Sequence, residues 1–251
     1  MEFSTYLYLL VGWIVLAVIT FLALQRIIAP FGRHTSSQFG PTINNNIGWM
    51  IMEVPSLISI SYFYWTGPLS PNWITGTMYG LWCLHYVNRS FIYPFRQRNA
   101  NKQMPLLIAG SAVFFNIVNG FFNGYYLGHF ADYPESWLTS AFFIVGIVLF
   151  ACGMAINLWA DNRLINLRKP GESGYKIPKG GLFNYVSCPN LMGEMVEWIG
   201  FAVLCWNPAA LSFAIWTVAN LLPRAMAHHR WYQQKFDDYP EERKAVVPFV
   251  L

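Results

Sequence analysis

Long apolar runs separated by short polar stretches dominate this chain. Seven windows approach the roughly 20 mostly apolar residues that a membrane-crossing helix needs. They are Thr5–Ile28, Ile47–Trp65, Trp73–Tyr93, Met104–Leu127, Trp137–Leu158, Leu191–Trp206 and Pro208–Leu222. The fifth is the cleanest. The sixth is short and contains Glu194 and Glu197, and almost no loop separates it from the seventh. The first window has neither a basic leading segment nor a small-residue cleavage site, so it reads as a retained helix and not a signal peptide. No period of 20–50 residues recurs, which predicts one domain over residues 1–251 and excludes a repeat array. The expected architecture is all-α: a multi-pass membrane protein with seven transmembrane helices.

Composition agrees with a bilayer as solvent. Of 251 residues, 55% are hydrophobic and only 11% charged, against about 25% charged in soluble domains. Aromatic residues make up 18%, with 11 Trp and 14 Tyr, as suits the interfacial belts of membrane proteins. The net charge of +4 is unevenly placed, and its distribution points to topology and away from nucleic-acid binding. With seven spans, every Lys and Arg falls on one side. Arg26 and Arg33 follow helix one, and Arg96, Arg98 and Lys102 follow helix three. Arg163, Arg168, Lys169, Lys176 and Lys179 follow helix five, and Arg224, Arg230, Lys235, Arg243 and Lys244 follow helix seven. Arg89 lies in the inner half of helix three. The positive-inside rule then puts the N-terminus outside and the C-terminus in the cytoplasm. Cys83, Cys152, Cys188 and Cys205 are scattered with no C-x-x-C pair, so free thiols are expected and not a disulfide framework.

Charges inside the apolar windows carry the first functional signal. A charged group at the bilayer centre costs at least about 2.5–3.5 kcal/mol, so it should face a cavity or a partner. Glu53 precedes Pro55, a residue that frees backbone groups and can kink a helix, and a carboxylate at a kink reads as a pocket wall. Glu194 and Glu197 are three apart and share a face; the alternative for them is a structural ion pair with Arg89 or Arg224. Trp82, His85, Tyr86, Arg89 and Tyr93 form one helical stripe that should face inward. His228 and His229 are adjacent, with no third ligand at metal spacing, so no metal site is expected.

The stretch from Asn157 to Trp198 interrupts the oily pattern with basic, polar and Gly/Pro-rich residues. It contains no G-x-G-x-x-G after a strand and no nucleophile elbow, so a nucleotide would need another cradle. The loop offers one: Arg168 and Lys169 for phosphate, Tyr175 and Tyr185 for stacking, glycines for close approach, and Asn157, Asp161 and Asn190 for hydrogen bonds. Contact with lipid headgroups would explain the basic residues but not the interleaved Asn, Asp and Tyr.

These residues, with their surroundings, resemble the 3-oxo-5α-steroid 4-dehydrogenase (steroid 5α-reductase) family. The likeness runs through Leu167-Arg168-Lys169-Pro170-Gly171-Glu172, Tyr175-Lys176-Ile177-Pro178-Lys179-Gly180-Gly181-Leu182-Phe183 and Gly193-Glu194 to Glu197-Trp198-Ile199-Gly200. It continues in Arg224-Ala225, His228-His229-Arg230 and Asp238-Tyr239-Pro240, and includes Glu53-Val54-Pro55-Ser56 and Leu84-His85-Tyr86. It implies a seven-helix membrane enzyme that binds NADPH from the cytoplasmic side with residues 137–251. Asn157, Asp161, Arg168, Tyr175, Asn190, Glu194, Arg224, His228 and Tyr232 match cofactor positions. Glu53 and Tyr86 match the pair that binds the substrate 3-oxo group. Trp198 matches an aromatic near the steroid, and Arg89 joins the substrate side through the Tyr86 stripe. Two departures bear on which steroid is preferred: Met52 stands where relatives often carry Gln, and no Arg occurs around Ala109-Gly110.

The chemistry implied is hydride addition to the β carbon of an enone, with donors at the carbonyl oxygen where negative charge builds. Tyr86 can donate its hydroxyl proton. Glu53 can donate only as the neutral acid, the form that a shielded site favours. Competing readings are a related enone reductase acting on an enoyl thioester or polyprenal, an isoprenylcysteine methyltransferase-like enzyme, and a lipid or sterol binder. The methyltransferase-like group has Arg-His-Pro where this chain has Ser187-Cys188-Pro189. The expected surroundings are membrane lipid and a steroid-like substrate, with no nucleic-acid partner, and the protein is expected to be a monomer. The membrane would be the endoplasmic reticulum in a eukaryote and the inner membrane in a bacterium.

Overall fold

The computed structural model describes residues 1–27, 40–97, 102–169, 172 and 174–251. The sequence expectations at Ile28, Arg33, Arg98, Pro170, Gly171 and Ser173 lie outside the described residues. The helices are α1 (Phe3–Leu24), α2 (Asn45–Trp65), α3 (Trp73–Val87), α4 (Tyr93–Arg96), α5 (Leu106–His129), α6 (Ala141–Ile165), α7 (Pro189–Cys205) and α8 (Pro208–Lys235). A π-helical turn, Asn88–Ile92, connects α3 to α4. Each apolar window of the sequence contains a helix. Two short strands, β1 (Thr42–Asn44) and β2 (Gln103–Pro105), form an antiparallel pair that hydropathy did not anticipate. Among the described residues, four helices, α1, α5, α6 and α8, are long and apolar enough to cross a membrane.

Local chemistry explains the helix starts. Asn44 accepts from the backbone N–H of Asn46 at 2.9 Å and caps α2. Asn72 and Thr75 form a reciprocal capping box on α3, and Asn207 accepts from Ala210 N–H at 2.9 Å to start α8. Each cap satisfies orphan donors at a helix N-terminus. The π turn has a local cause: Pro94 lacks an N–H and its ring crowds the carbonyl four residues back. The widened turn, in which Tyr93 N–H reaches Asn88 O, relieves that conflict. Two helices outrun their sequence-based limits. The polar residues Asp161, Asn162 and Arg163 continue α6 to Ile165, and α8 passes through Pro223 to Lys235, carried by the helix formers Ala225, Met226 and Ala227.

The chain divides into two units. Unit one comprises Met1–Leu10 and Ala29–Phe143; unit two comprises Val11–Ile28 and Ile144–Leu251. In unit one, α2 and α5 pack in parallel along Gly120, Gly124 and Gly128, spaced by one turn. A Cβ on Gly124 would stand 2.6 Å from Ile60 O, and one on Gly120 2.7 Å from Ser59 Cβ. Small residues let backbones approach this closely where lipid gives no hydrophobic drive. The buried Tyr6 donates to Phe122 O at 2.9 Å and anchors an aromatic cluster with Tyr125 and Phe130.

Unit two repeats the device with antiparallel helices. Gly146 and Gly153 on α6, and Gly193 and Gly200 on α7, each abut the opposing backbone. α8 returns against α7, with Phe213 edge-on to Trp198 at 4.5 Å, and Trp13 of α1 lies 4.7 Å from Trp216. The C-terminal tail is tied in by backbone bonds from Ser187 N–H to Lys244 O and from Lys244 N–H to Tyr185 O. None of the four cysteines is in a disulfide; Cys188 and Cys205 are buried, whereas Cys152 is exposed on α6.

Candidate functional site

Unit one brings Glu53 and Tyr86 to the same side chain. Glu53 is half-buried on α2, two residues before Pro55. Tyr86 is buried on α3. Between them lies the buried Asn116 of α5. Its Nδ2 donates to Met52 O at 2.6 Å and to Glu53 Oε2 at 3.2 Å, while Tyr86 OH donates to its Oδ1 at 3.0 Å. The inward stripe foreseen for the third helix is real. Trp82, His85 and Tyr86 are buried, Trp82 stacks on Tyr86 at 5.3 Å, and Trp82 Nε1 donates to the buried Ser56 Oγ at 3.0 Å. Arg89, in the π turn, spreads over the rings of Trp49 and Tyr93, each 4.9 Å away. That stacking desolvates one face of the guanidinium against aromatic quadrupoles.

Unit two gathers four of the residues expected at a cofactor. Asn157 Nδ2 donates to Asn190 O at 2.9 Å and to Glu194 Oε2 at 3.3 Å. Asn190 Nδ2 donates to Asp161 Oδ1 at 3.1 Å. Asn157 and Asp161 are one turn apart on α6, as are Asn190 and Glu194 on α7, so two faces interlock. The glycine at 193 allows this: a Cβ there would sit 2.5 Å from Asn157 N. Two amides and two carboxylates in one network offer both donors and acceptors, the mixture that a carboxamide and ribose hydroxyls require.

In the segment that follows, the described charged residues bind one another and the backbone. Arg168 Nη1 donates to Gly174 O at 3.1 Å. Glu172 accepts from Lys169 N–H at 2.7 Å and pairs with Lys176. The Lys176 ammonium and then the Lys169 N–H hold the Glu172 carboxyl below its ordinary 4.5. Tyr175, exposed, meets Trp231 of α8 edge-on at 4.8 Å. Gly180 and Gly181 have φ of 92° and 54°, a region that favours glycine. Any Cβ on Gly181 would also strike the Trp159 ring at 2.7 Å. Arg224, His228 and Tyr232 recur every four residues along α8, and Tyr232 is buried, stacked on Tyr239 at 5.3 Å. Trp198 is buried among Phe150, Phe201 and Phe213. Glu197, its neighbour in sequence, is wholly buried on α7.

Two features escaped the sequence reading. Asn116 stood out only as one of three asparagines in an apolar helix; a buried amide there needs partners, but the pattern names none. The second is a latch on the tail. Ser187 Oγ lies 2.6 Å from His229 Nδ1, 2.6 Å from Tyr239 OH and 3.1 Å from Lys244 O. The buried Arg243 donates to Pro178 O at 3.2 Å and covers the Tyr239 ring. Burial, the larger influence, pushes the Tyr239 hydroxyl above its ordinary 10.0 against the pull of Ser187 and Arg243. Among the described residues, no group of three or more His, Cys, Asp and Glu is placed to hold a metal ion.

Comparison with known proteins gives these sites a family. A family model described as 3-oxo-5-alpha-steroid 4-dehydrogenase matches residues 102–251. Steroid 5-alpha-reductase DET2 of Solanum lycopersicum is 42% identical over 241 residues, 94% of this chain and 93% of the relative. The 3-oxo-5-alpha-steroid 4-dehydrogenase 1 of Macaca fascicularis is 42% identical over 226 residues, 88% of this chain and 84% of its own. The 3-oxo-5-alpha-steroid 4-dehydrogenase 2 of Homo sapiens is 42% identical over 224 residues, 88% and 87% respectively. Nearly full-length kinship at this level agrees with the motifs read from the sequence, and the chain belongs to the 3-oxo-5α-steroid 4-dehydrogenase (steroid 5α-reductase) family, a family of oxidoreductases.

Proposed function

We propose that this protein reduces the 4,5 double bond of a 3-oxo-4-ene steroid with NADPH, in a seven-span membrane domain that includes both units. The observation that carries the substrate class is the near full-length identity with steroid 5α-reductases. The joining of Glu53 and Tyr86 through one buried amide supports it.

NADPH, when bound, supplies the hydride that adds to the β carbon. The chain's own residues supply orientation and electrostatics. Asn157, Asp161, Asn190 and Glu194 bind the nicotinamide and ribose end, and Arg168 takes the 2′-phosphate. Tyr175, Arg224, His228 and Tyr232 complete the cofactor wall. Tyr86 donates to the 3-oxo oxygen, and Glu53, as the neutral acid, donates beside it. Two such donors stabilise the enolate that forms as the β carbon is reduced; each is worth about 3–4 kcal/mol. The α carbon then takes a proton from water. Trp198 and Arg89 serve the substrate side through packing. Helix direction supports the span count: α2 runs parallel to α5, while α6, α7 and α8 alternate, as successive crossings would.

We place the N-terminus outside, the C-terminus in the cytoplasm, and the protein as a monomer in the endoplasmic reticulum or a bacterial inner membrane. The test is incubation of purified protein with NADPH and a 4-ene-3-one steroid, following the reduced-nicotinamide absorbance. Steroid-dependent oxidation, with a 5α-reduced product, is the expected result. No oxidation with several such steroids, or turnover unchanged in Glu53→Ala, would overturn the reading.

A further inference from the structure

We infer that Asn116 is a positioning residue that decides how Glu53 presents its proton and holds Tyr86 in register with it. The inference rests on the proposed roles of Glu53 and Tyr86.

The polarity of the amide follows from one fixed partner. Met52 O is a carbonyl and can only accept, so the atom 2.6 Å from it is the NH₂ of Asn116. The amide oxygen therefore faces Tyr86, whose hydroxyl must donate to it across 3.0 Å. The same NH₂ donates to Glu53 Oε2 at 3.2 Å. In a neutral carboxyl the carbonyl oxygen is the better acceptor. An amide donor on Oε2 thus makes Oε2 the carbonyl-like oxygen and places the acid's proton on Oε1. One buried side chain thereby fixes the tautomer of Glu53 and the aim of the Tyr86 hydroxyl. When a ketone oxygen arrives, Tyr86 turns its proton from Asn116 Oδ1 to the ketone by rotation about its C–O bond, and Asn116 keeps hold of Glu53. α5 is fixed in place for this by the close α2 contact at Gly120 and by Ser59 Oγ, which donates to Ile117 O at 2.8 Å.

The elements packed on α2 also carry His85, Arg89, Tyr93 and Arg96. None of these changes in the variants below. Asn116→Leu removes all three hydrogen bonds at similar volume. Asn116→Asp keeps the acceptor for Tyr86 but sets a second carboxyl beside Glu53. Only the doubly protonated pair reproduces both the Asn116 donor and the neutral Glu53, and two carboxyls this close lose the first of their two protons at lower pH than one alone. The experiment measures kcat, KM and the pH profile of purified full-length protein with NADPH and a 4-ene-3-one steroid. Glu53→Ala and Tyr86→Phe are measured alongside.

Asn116→Leu is expected to lower kcat by about tenfold or more, as for loss of a hydrogen bond that matters in the transition state, with KM changed less than kcat. Asn116→Asp is expected to lose activity at neutral pH and regain it toward acid, its alkaline limb moved to lower pH by at least about one unit. If Asn116→Leu does not fold, the Asn116→Asp profile decides alone. Wild-type kcat in both variants, or an Asn116→Asp profile that overlays the wild type at reduced height, would overturn the inference. Should Glu53→Ala and Tyr86→Phe themselves turn over normally, the proposed function falls; should only those two lose activity, the inference falls by itself.

Discussion

Arg168 is half-buried at the start of the charged loop, with its guanidinium donating to Gly174 O. A planar guanidinium pairs well with a phosphate, so Arg168→Ala should weaken NADPH binding about tenfold or more while barely affecting NADH. Titration of nicotinamide fluorescence with both cofactors checks this, and equal losses would remove the 2′-phosphate role. Glu172 gives a second prediction. Its carboxyl is held below the ordinary value by Lys176 and the Lys169 N–H. A depressed folded-state value means its contribution to loop order is present above pH 4.5 and is lost as pH falls through the lower folded value. The protection of Lys169 N–H against hydrogen exchange, taken relative to the intrinsic rate at each pH, should therefore fall in that acid window, and Glu172→Gln should make that protection independent of pH. Both residues were legible from sequence as charge in a loop. The Lys176 partner, four residues on, was a local matter too.

Glycine sets the helix packing in both units. Gly193 faces α6 so closely that any Cβ would meet Asn157 N at 2.5 Å and Gly153 O at 2.7 Å. Gly193→Val should cost about 1–3 kcal/mol by overpacking, and should weaken NADPH as well, because it displaces Asn157. Gly110 on α5 has open space where a Cβ would go, so Gly110→Ala should be neutral or stabilising by about 0.5–1 kcal/mol. Thermal melts of the two variants separate these outcomes. Sequence alone shows both as glycines in apolar helices. Which of them touches a neighbour depends on how the helices pair, and no local pattern records that.

At the scale of the whole molecule, the distribution of Lys and Arg makes the strongest prediction. A reporter fused after Leu251 should be cytoplasmic and one fused before Met1 external; both on one side would overturn the proposed seven spans, and the reverse would overturn the proposed orientation. Four helices meet the length and hydropathy that crossing requires. α3, at 15 residues, and α7, at 17, are shorter, and α2 is long enough but diluted by polar groups, Glu53 among them. In α2 the carboxylate that suggests function therefore also weakens the membrane signal of its helix.

The sequence by itself determined where the helices form, which residue types break them, and the family to which the chain belongs. Hydropathy, caps and motif spacing act over a few residues, so they can be read along the chain. Tertiary structure alone decided that Asn116, 63 positions from Glu53 and 30 from Tyr86, links the two. It also brought Ser187, His229 and Tyr239 into one latch. Those partners are chosen by helix register and close glycine contact, which place side chains from distant segments within hydrogen-bonding reach.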